Sequence, residues 1–391
     1  MKYDFDEIIE RRNSLAFKYD YRKEYFGNED VIPMWVADMD FRTPDFIMKA
    51  IRKRAEHEIL GYTLRPDSFY QSIISWYKTR QDWEISKEWI SFSPGIVAAL
   101  SMAVRAYTSE GDKVIVQPPV YHPFFSVIKD NNRQVLYNQL IEEEGNYRMD
   151  LEGLKKKLDP TVKLLLLSHP HNPAGRAWTK QELADLADIC LENGITIISD
   201  EIHSDLVFRP QRHVPISTLS KEISDITVTC VAPSKSFNLA GLASSVVVLP
   251  NEKLRKDFNH ELATGHFYMG NIFGSIALES AYSEGHEWLD QLMDYLKGNL
   301  DLLSGFITSE LPRIRLSPVE ATYLAWLDMR SLGLKSKELR KFMTEKARIG
   351  CNDGPSFGPG GEGFQRLNFA CPRPILQKAL EQLKDAFREI N

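Results

Sequence analysis

The chain has 391 residues, 43% hydrophobic and 26% charged, enough to bury a large core in two or three units of an ordinary globular enzyme. Its 48 Lys and Arg against 54 Asp and Glu leave a net charge of −6, interspersed and without a basic run, which argues against a nucleic-acid surface. No apolar run approaches the roughly 18 residues of a membrane helix, the charged start lacks an apolar signal region, and Cys190, Cys230, Cys351 and Cys371 lie far apart. A cytoplasmic protein with reduced thiols is the expectation.

In chain order, an N-terminal arm leads to a helix over 43–58 and then to Leu60-Gly-Tyr-Thr63. From Ser93 strands and helices alternate: a helix over 95–107, a strand over 113–117, a helix over 123–130 and a strand over 134–140. Three apolar runs follow, Leu164–Ser168, Ile195–Ser199 and Ile226–Val231. Between the first two, an amphipathic helix over 179–192 carries Leu183, Leu186, Ala187 and Ile189 on its apolar side and closes at Asn193-Gly194. Short apolar runs alternating with helices predict an α/β fold whose mainly parallel sheet is covered on both faces. A further strand over 244–249 joins that sheet in a direction the sequence leaves open. After Glu287 the pattern changes to a helix over 288–310, strands within 316–328, a helix over 335–347, a strand over 366–369 and a helix over 374–390. The expected division is an arm (1–45), a large unit (46–286) and a smaller α+β unit (287–391). The Gly/Pro-rich tract Gly354–Gly363 is expected near the mouth of the site.

Each of the three apolar runs delivers one polar group at its carboxyl end. These are Asn172 in His169-Pro-His-Asn-Pro-Ala-Gly175, Asp200 in Ser199-Asp-Glu-Ile-His203, and Lys235 in Ala232-Pro-Ser-Lys-Ser-Phe-Asn-Leu-Ala-Gly-Leu242. Open α/β sheets bind ligands at that end. An amine, a carboxylate and an amide converging there suit pyridoxal 5′-phosphate. Lys235 would bond the cofactor's aldehyde and, once released, act as a base. Asp200 ends a strand too apolar for an unpaired charge and would hold the protonated ring nitrogen. Asn172 would donate to the ring oxygen, near which His203 also falls. Gly95, Ile96 and Val97 open a helix and offer backbone donors to a phosphate, with Ser234 adding a hydroxyl. Tyr121, in the turn after Pro118-Pro-Val, would stack on the ring, and Arg366 suits bidentate capture of a substrate α-carboxylate. Glu201 points to the opposite face of its strand. The alternative for this region is a metal centre of His169, His171, Asp200 and His203.

Together with Trp35-Val-Ala-Asp-Met-Asp-Phe41, Ser93-Pro-Gly-Ile-Val97 and Pro118-Pro-Val-Tyr-His-Pro-Phe124, these motifs make the chain resemble the fold-type I aminotransferase superfamily. More narrowly it resembles the MalY/PatB branch of cystathionine β-lyases (C–S lyases), from about Asp4 to the C-terminal helix. The resemblance implies a mainly parallel sheet of the seven-stranded type with a smaller α+β domain. It also implies a homodimer with active sites at the interface, Tyr62 of a second subunit at the phosphate and the Ala37 N–H at the substrate carboxylate. At Ala243 the chain departs from ordinary aminotransferases, which carry a phosphate-binding arginine there; at Ala232 a serine is frequent. The implied reaction is β-elimination from cystathionine or cysteine-type amino acids to a thiol, pyruvate and ammonia. Transamination is the alternative, and a non-catalytic binding role is a third reading.

Overall fold

The structure, a computed structural model, describes residues 2–389; Ile390, the expected end of the last helix, lies outside them. The larger sheet contains β1 (Ile90–Ser93), β2 (Lys113–Val116), β3 (Gln134–Tyr137), β4 (Val162–Ser168), β5 (Thr196–Asp200), β6 (Thr227–Val231) and β7 (Ser245–Val248). Its order is β1-β7-β6-β5-β4-β2-β3. From β6 across to β3 the pairing is parallel, whereas β7 is antiparallel to both β6 and β1. The link from β6 to β7 holds only the short turns Pro233–Ser236 and Ala240–Leu242. A parallel return needs a crossover, usually a helix, so β7 runs back instead.

Alternation along the strands sends successive residues to opposite faces. Leu164 and Leu166 of β4 join Ile198, Val228, Leu100, Val104 and Phe258 in one core cluster. Leu165 and Leu167 join Ile197, Leu183, Leu186 and Ile189 in another. The sheet is therefore covered on both sides, as its near-continuous apolar runs require. The helix Lys180–Glu192 starts in a capping box between Thr179 and Glu182, which satisfies two of its first donors.

A smaller antiparallel sheet comprises β8 (Arg315–Leu316), β9 (Leu324–Asp328), β10 (Asn352–Asp353) and β11 (Phe364–Asn368), in the order β8-β9-β11-β10. The helices His286–Glu310 and Arg373–Arg388 flank it. The helix expected over 335–347 is shorter, Ser336–Lys341, and widens into a π turn at Phe342–Lys346.

Helices at Asp67–Gln81, Glu252–Thr264 and Ile272–Glu284 were not anticipated. Ile272–Glu284 buries Gly274, Ser275, Ala277, Leu278, Ser280, Ala281 and Tyr282, so no polar stripe marks its period. Gly274 is needed there, because a Cβ would lie 2.5 Å from the Leu242 carbonyl oxygen.

The arm pairs Ile32–Pro33 in parallel with Ile349–Gly350. Beyond it, Met34–Asp40 crosses between the two sheets with its carbonyls tied to both sides. Asn368 Nδ2 donates to Val36 O (2.7 Å) and Asp38 O (2.6 Å), and Asn238 Nδ2 donates to Met39 O (2.8 Å). Its own Asp38 and Asp40 join an ion cluster, buried at Lys18 and Asp40 and half-buried at Arg11 and Asp38, pairing Lys18 with Asp40 (2.9 Å) and Arg11 with Asp38 (2.8 Å) and Asp40 (2.6 Å). The Gly/Pro-rich tract packs on the segment after Pro118, with Val120 N–H donating to Phe357 O (2.9 Å). It backs Arg366, whose guanidinium lies 4.9 Å from the Phe357 ring centroid, and does not line the cavity.

Candidate active site

The register pairs Ser168 with Asp200 and Asp200 with Cys230. β4, β5 and β6 thus end level with one another, and the chain leaves all three on the same side. A cavity of about 360 Å³ opens there. It is lined by Gly95, Ile96, Val97, Tyr121, Asn172, Asp200, His203, Ser234, Lys235 and Ala37, with Ala232 and Ala243 also at its wall. Among the lining residues Lys235 is the only Lys or Arg. Arg366 stands directly behind, bonded to Asn172. Tyr62 is elsewhere: it is 96% exposed and does not line this cavity.

Lys235 sits in the helical turn Pro233–Ser236, and its Nζ donates to Ala37 O at 2.6 Å. Burial pushes its amine down to about 8; Asp38 opposes this, Arg366 lowers it further and Asp200 again opposes. Asp200 is pushed up to about 7 by burial, against a hydrogen bond from Ile202 N–H (3.2 Å) and the attraction of Lys235, with Glu201 raising it further. Its carboxylate stands in no ion pair among the described residues. A buried acid facing a cavity without a cation at contact distance suits a cationic ligand group. Glu201 faces the other way, accepting from Ser199 Oγ (2.8 Å) and Ile216 N–H (3.3 Å) and pairing with His213 Nε2 (2.6 Å).

Asn172 accepts on Oδ1 from Arg366 Nη1 at 2.9 Å. A guanidinium only donates, so the amide is oriented and its Nδ2 remains to donate elsewhere. Arg366 Nη2 donates to Trp35 O (2.9 Å) and Asn352 Oδ1 (2.6 Å). Burial lowers the Arg366 guanidinium to about 10. Asn352 was missed: it faces Arg366 only because β10 pairs with β11 in that register. Tyr323 was missed too. Its hydroxyl donates to Ala37 O (2.9 Å), and its ring meets His203 edge-on with centroids 6.0 Å apart.

At the other end of the cavity Gly95 caps the helix Ile96–Tyr107, whose first N–H groups have no partner within the helix. Ser234 lies at the same cavity. Two histidines of the metal alternative have a ring nitrogen engaged by a backbone carbonyl. His169 Nε2 lies 3.0 Å from Val214 O and His171 Nε2 2.8 Å from Pro119 O. Among the described residues no His, Cys, Asp and Glu side chains form a metal-holding group. Burial, with Lys235 and Arg366 nearby, pushes His203 well below its usual range and so favours the neutral imidazole.

The family model for aminotransferase class I and II matches residues 29–383. The chain belongs to that family. Across 98% of its length it is 44% identical to cystathionine beta-lyase PatB of Bacillus subtilis, covering 99% of that protein. The crystal structure of cystalysin from Treponema denticola, which contains a pyridoxal 5′-phosphate cofactor, matches with a TM-score of 0.97 at 35% identity over the whole of both chains. A PLP-bound C-S lyase from Staphylococcus hominis matches with a TM-score of 0.91 at 37% identity over 98% of both. The fold of the family is the one observed, with a central, largely parallel sheet. No helix among the described residues is long and apolar enough to cross a membrane.

Proposed function

We propose that the chain is a pyridoxal 5′-phosphate-dependent C–S β-lyase, cleaving cystathionine or cysteine-type amino acids to a thiol, pyruvate and ammonia. The observation that carries this reading is the meeting of Lys235, Asp200 and Asn172 in one cavity, with Asn172 bonded to Arg366. The likeness to cystathionine beta-lyase PatB favours elimination. The cofactor supplies an aldehyde for Lys235 and an electron sink for the charge left at the substrate's Cα. The donor set fits it: an unpaired acid for a ring N–H, an amide for a ring oxygen, and a helix N-terminus with Ser234 for the phosphate.

In this reading Tyr121 stacks on the ring and His203 lies beside its oxygen. Arg366 takes the substrate α-carboxylate, with the Ala37 N–H as a second donor. The Lys235 amine, at about 8, holds a neutral fraction near neutral pH and removes the Cα proton. The β-sulfur group then leaves as thiolate and takes up the proton held by Lys235, and water hydrolyses the released enamine to pyruvate and ammonia. Residues 46–286 hold the cofactor, while 287–391 with the arm 1–45 bring the substrate side against it. With purified protein, pyruvate and thiol should form from cystathionine and from cysteine, while pairs of amino and keto acids exchange slowly or not at all. Fast exchange without pyruvate would instead establish an aminotransferase, the alternative reading.

The proposal includes a cytoplasmic homodimer. Ile59 (71% exposed), Leu60 (59%), Tyr62 (96%) and Leu64 (89%) form an apolar row. Arg65 ties it to the exposed Phe267 and Tyr268 through the Tyr268 and Met269 carbonyls (3.2 and 3.0 Å). A second copy would cover this surface and receive Tyr62 at its phosphate, where Ala243 provides no charge. Tyr62→Phe should weaken cofactor retention by about one to two orders of magnitude while the dimer persists, since a hydrogen bond to a charged group contributes about 1.5–3 kcal/mol. Subunit exchange with inactive Lys235→Ala protein should restore activity, because one site of each mixed dimer then regains both residues. Confirmed exchange without recovery would remove Tyr62 from the neighbouring site.

A further inference from the structure

The Ala37 carbonyl accepts two hydrogen bonds at the edge of the cavity, from Lys235 Nζ at 2.6 Å and from Tyr323 Oη at 2.9 Å. We propose that Tyr323 is a positioning residue for Lys235: by occupying one lone pair of this carbonyl, it turns the other toward the lysine and so fixes the amine where proton transfer needs it. This rests on the lyase reading above. A carbonyl oxygen has two acceptor directions, so the two donors hold it without competing. A neutral amine that donates one N–H to a fixed acceptor has its lone pair directed away from that acceptor. The tether is therefore useful only when the amine is free, which is when it must act as a base.

The rest of the structure holds Tyr323 rigidly. Its ring is fully buried and packs edge-on against His203. Its own carbonyl accepts from Phe369 N–H at 3.0 Å. Thr322, immediately before it, has φ 70°, a left-handed conformation that a β-branched residue adopts only under constraint. That constraint comes from Thr322 N–H donating to Leu206 O (2.7 Å) and Leu324 N–H donating to Thr322 Oγ1 (3.1 Å). The turn that aims Tyr323 is thus pinned both to the loop beyond Asp200 and to the smaller sheet. The charged groups that act on Lys235 are Asp38, Arg366 and Asp200, and none of them bonds to Tyr323.

The test is Tyr323→Phe in the full-length enzyme, which removes one oxygen and keeps the ring. With cystathionine, kcat should fall about tenfold, KM should stay within about twofold, and deuterium at the substrate Cα should slow the variant more than it slows wild type. Cofactor affinity should be unchanged, and the melting temperature should fall by no more than about 2 °C, the loss of one buried hydrogen bond. A second readout needs no turnover. In the full chain stripped of cofactor, acetic anhydride labelling of Lys235 is followed against pH by mass spectrometry. The two donors take separate directions, but the hydroxyl draws negative charge from the shared oxygen; without it the oxygen attracts the ammonium form more strongly, so the labelling midpoint should move up by about half a pH unit. An unmoved midpoint with unchanged kcat overturns the proposal. So does a parallel loss of kcat, cofactor affinity and melting temperature, the pattern of a merely structural tyrosine. If wild type forms no pyruvate from cystathionine or cysteine, the lyase reading fails by itself, and the labelling shift still decides whether Tyr323 holds the amine.

Discussion

Lys235→Ala should retain cofactor without covalent attachment and lose turnover by on the order of 10²–10⁴ or more, the share of a positioned general base. The expectation follows from one amine serving two purposes. Among the described residues it is the only lysine or arginine lining the cavity, it ends in a donor bond to Ala37 O, and burial brings it to about 8. Arginine cannot substitute, because a guanidinium does not release a proton at working pH. Borohydride treatment of wild type should fix the cofactor to Lys235, read by peptide mapping. Labelling at another lysine would overturn the assignment. Steady-state rates on the fully loaded variant, with bound cofactor measured separately, distinguish lost chemistry from lost binding.

Asp200→Asn should leave the fold intact and reduce turnover far more than cofactor occupancy. Removing one partner of a buried charge pair costs about 3–5 kcal/mol, on the order of 10²–10⁴-fold if it appears in the transition state. A fully loaded variant with near-wild-type turnover would place the partner of the ring nitrogen elsewhere. The same substitution has an opposite effect on the cofactor-free protein. Burial raises the Asp200 carboxyl from 3.8 to about 7, so between those pH values the folded state binds more protons than the unfolded one. Stability from this group is therefore lost as pH rises through that window. Above it, cofactor-free Asp200→Asn should be more stable than wild type by on the order of 1–3 kcal/mol. Denaturant midpoints of both proteins at pH 5 and pH 8 check this; the gap should open at pH 8. Glu201 is also raised to about 7, by burial above all, and its charge acts on Asp200, so the gap reports the Asp200 charge together with its effect on Glu201.

Much of the larger sheet was legible because its strands are short, nearly all apolar and bounded by turn residues. β4, β5 and β6 could be placed to within a residue or two, and their polar ends followed directly. The helix Lys180–Glu192 was legible for a different reason: its apolar period and its Thr179 cap are both local signals. The helix Ile272–Glu284 was not, since small residues on several faces let other helices approach and erase the stripe. The break of the helix expected over 335–347 into a π turn likewise leaves no mark in an apolar period.

Local sequence determined the identity of the chemical groups and the strand ends that carry them: an amine after β6, a carboxylate at the end of β5 and an amide after β4. Strand propensity and turn residues act over a few positions, and that is enough to place each group on its own element. Tertiary structure alone decided what those groups meet. Arg366 and Asn172 are far apart in the chain, and only the docking of the smaller sheet brings them to 2.9 Å. Ala37 becomes an acceptor shared by Lys235 and Tyr323 because Met34–Asp40 is held between Asn238 on one side and Asn368 on the other. Such contacts depend on register and packing between distant segments, which no short-range preference encodes.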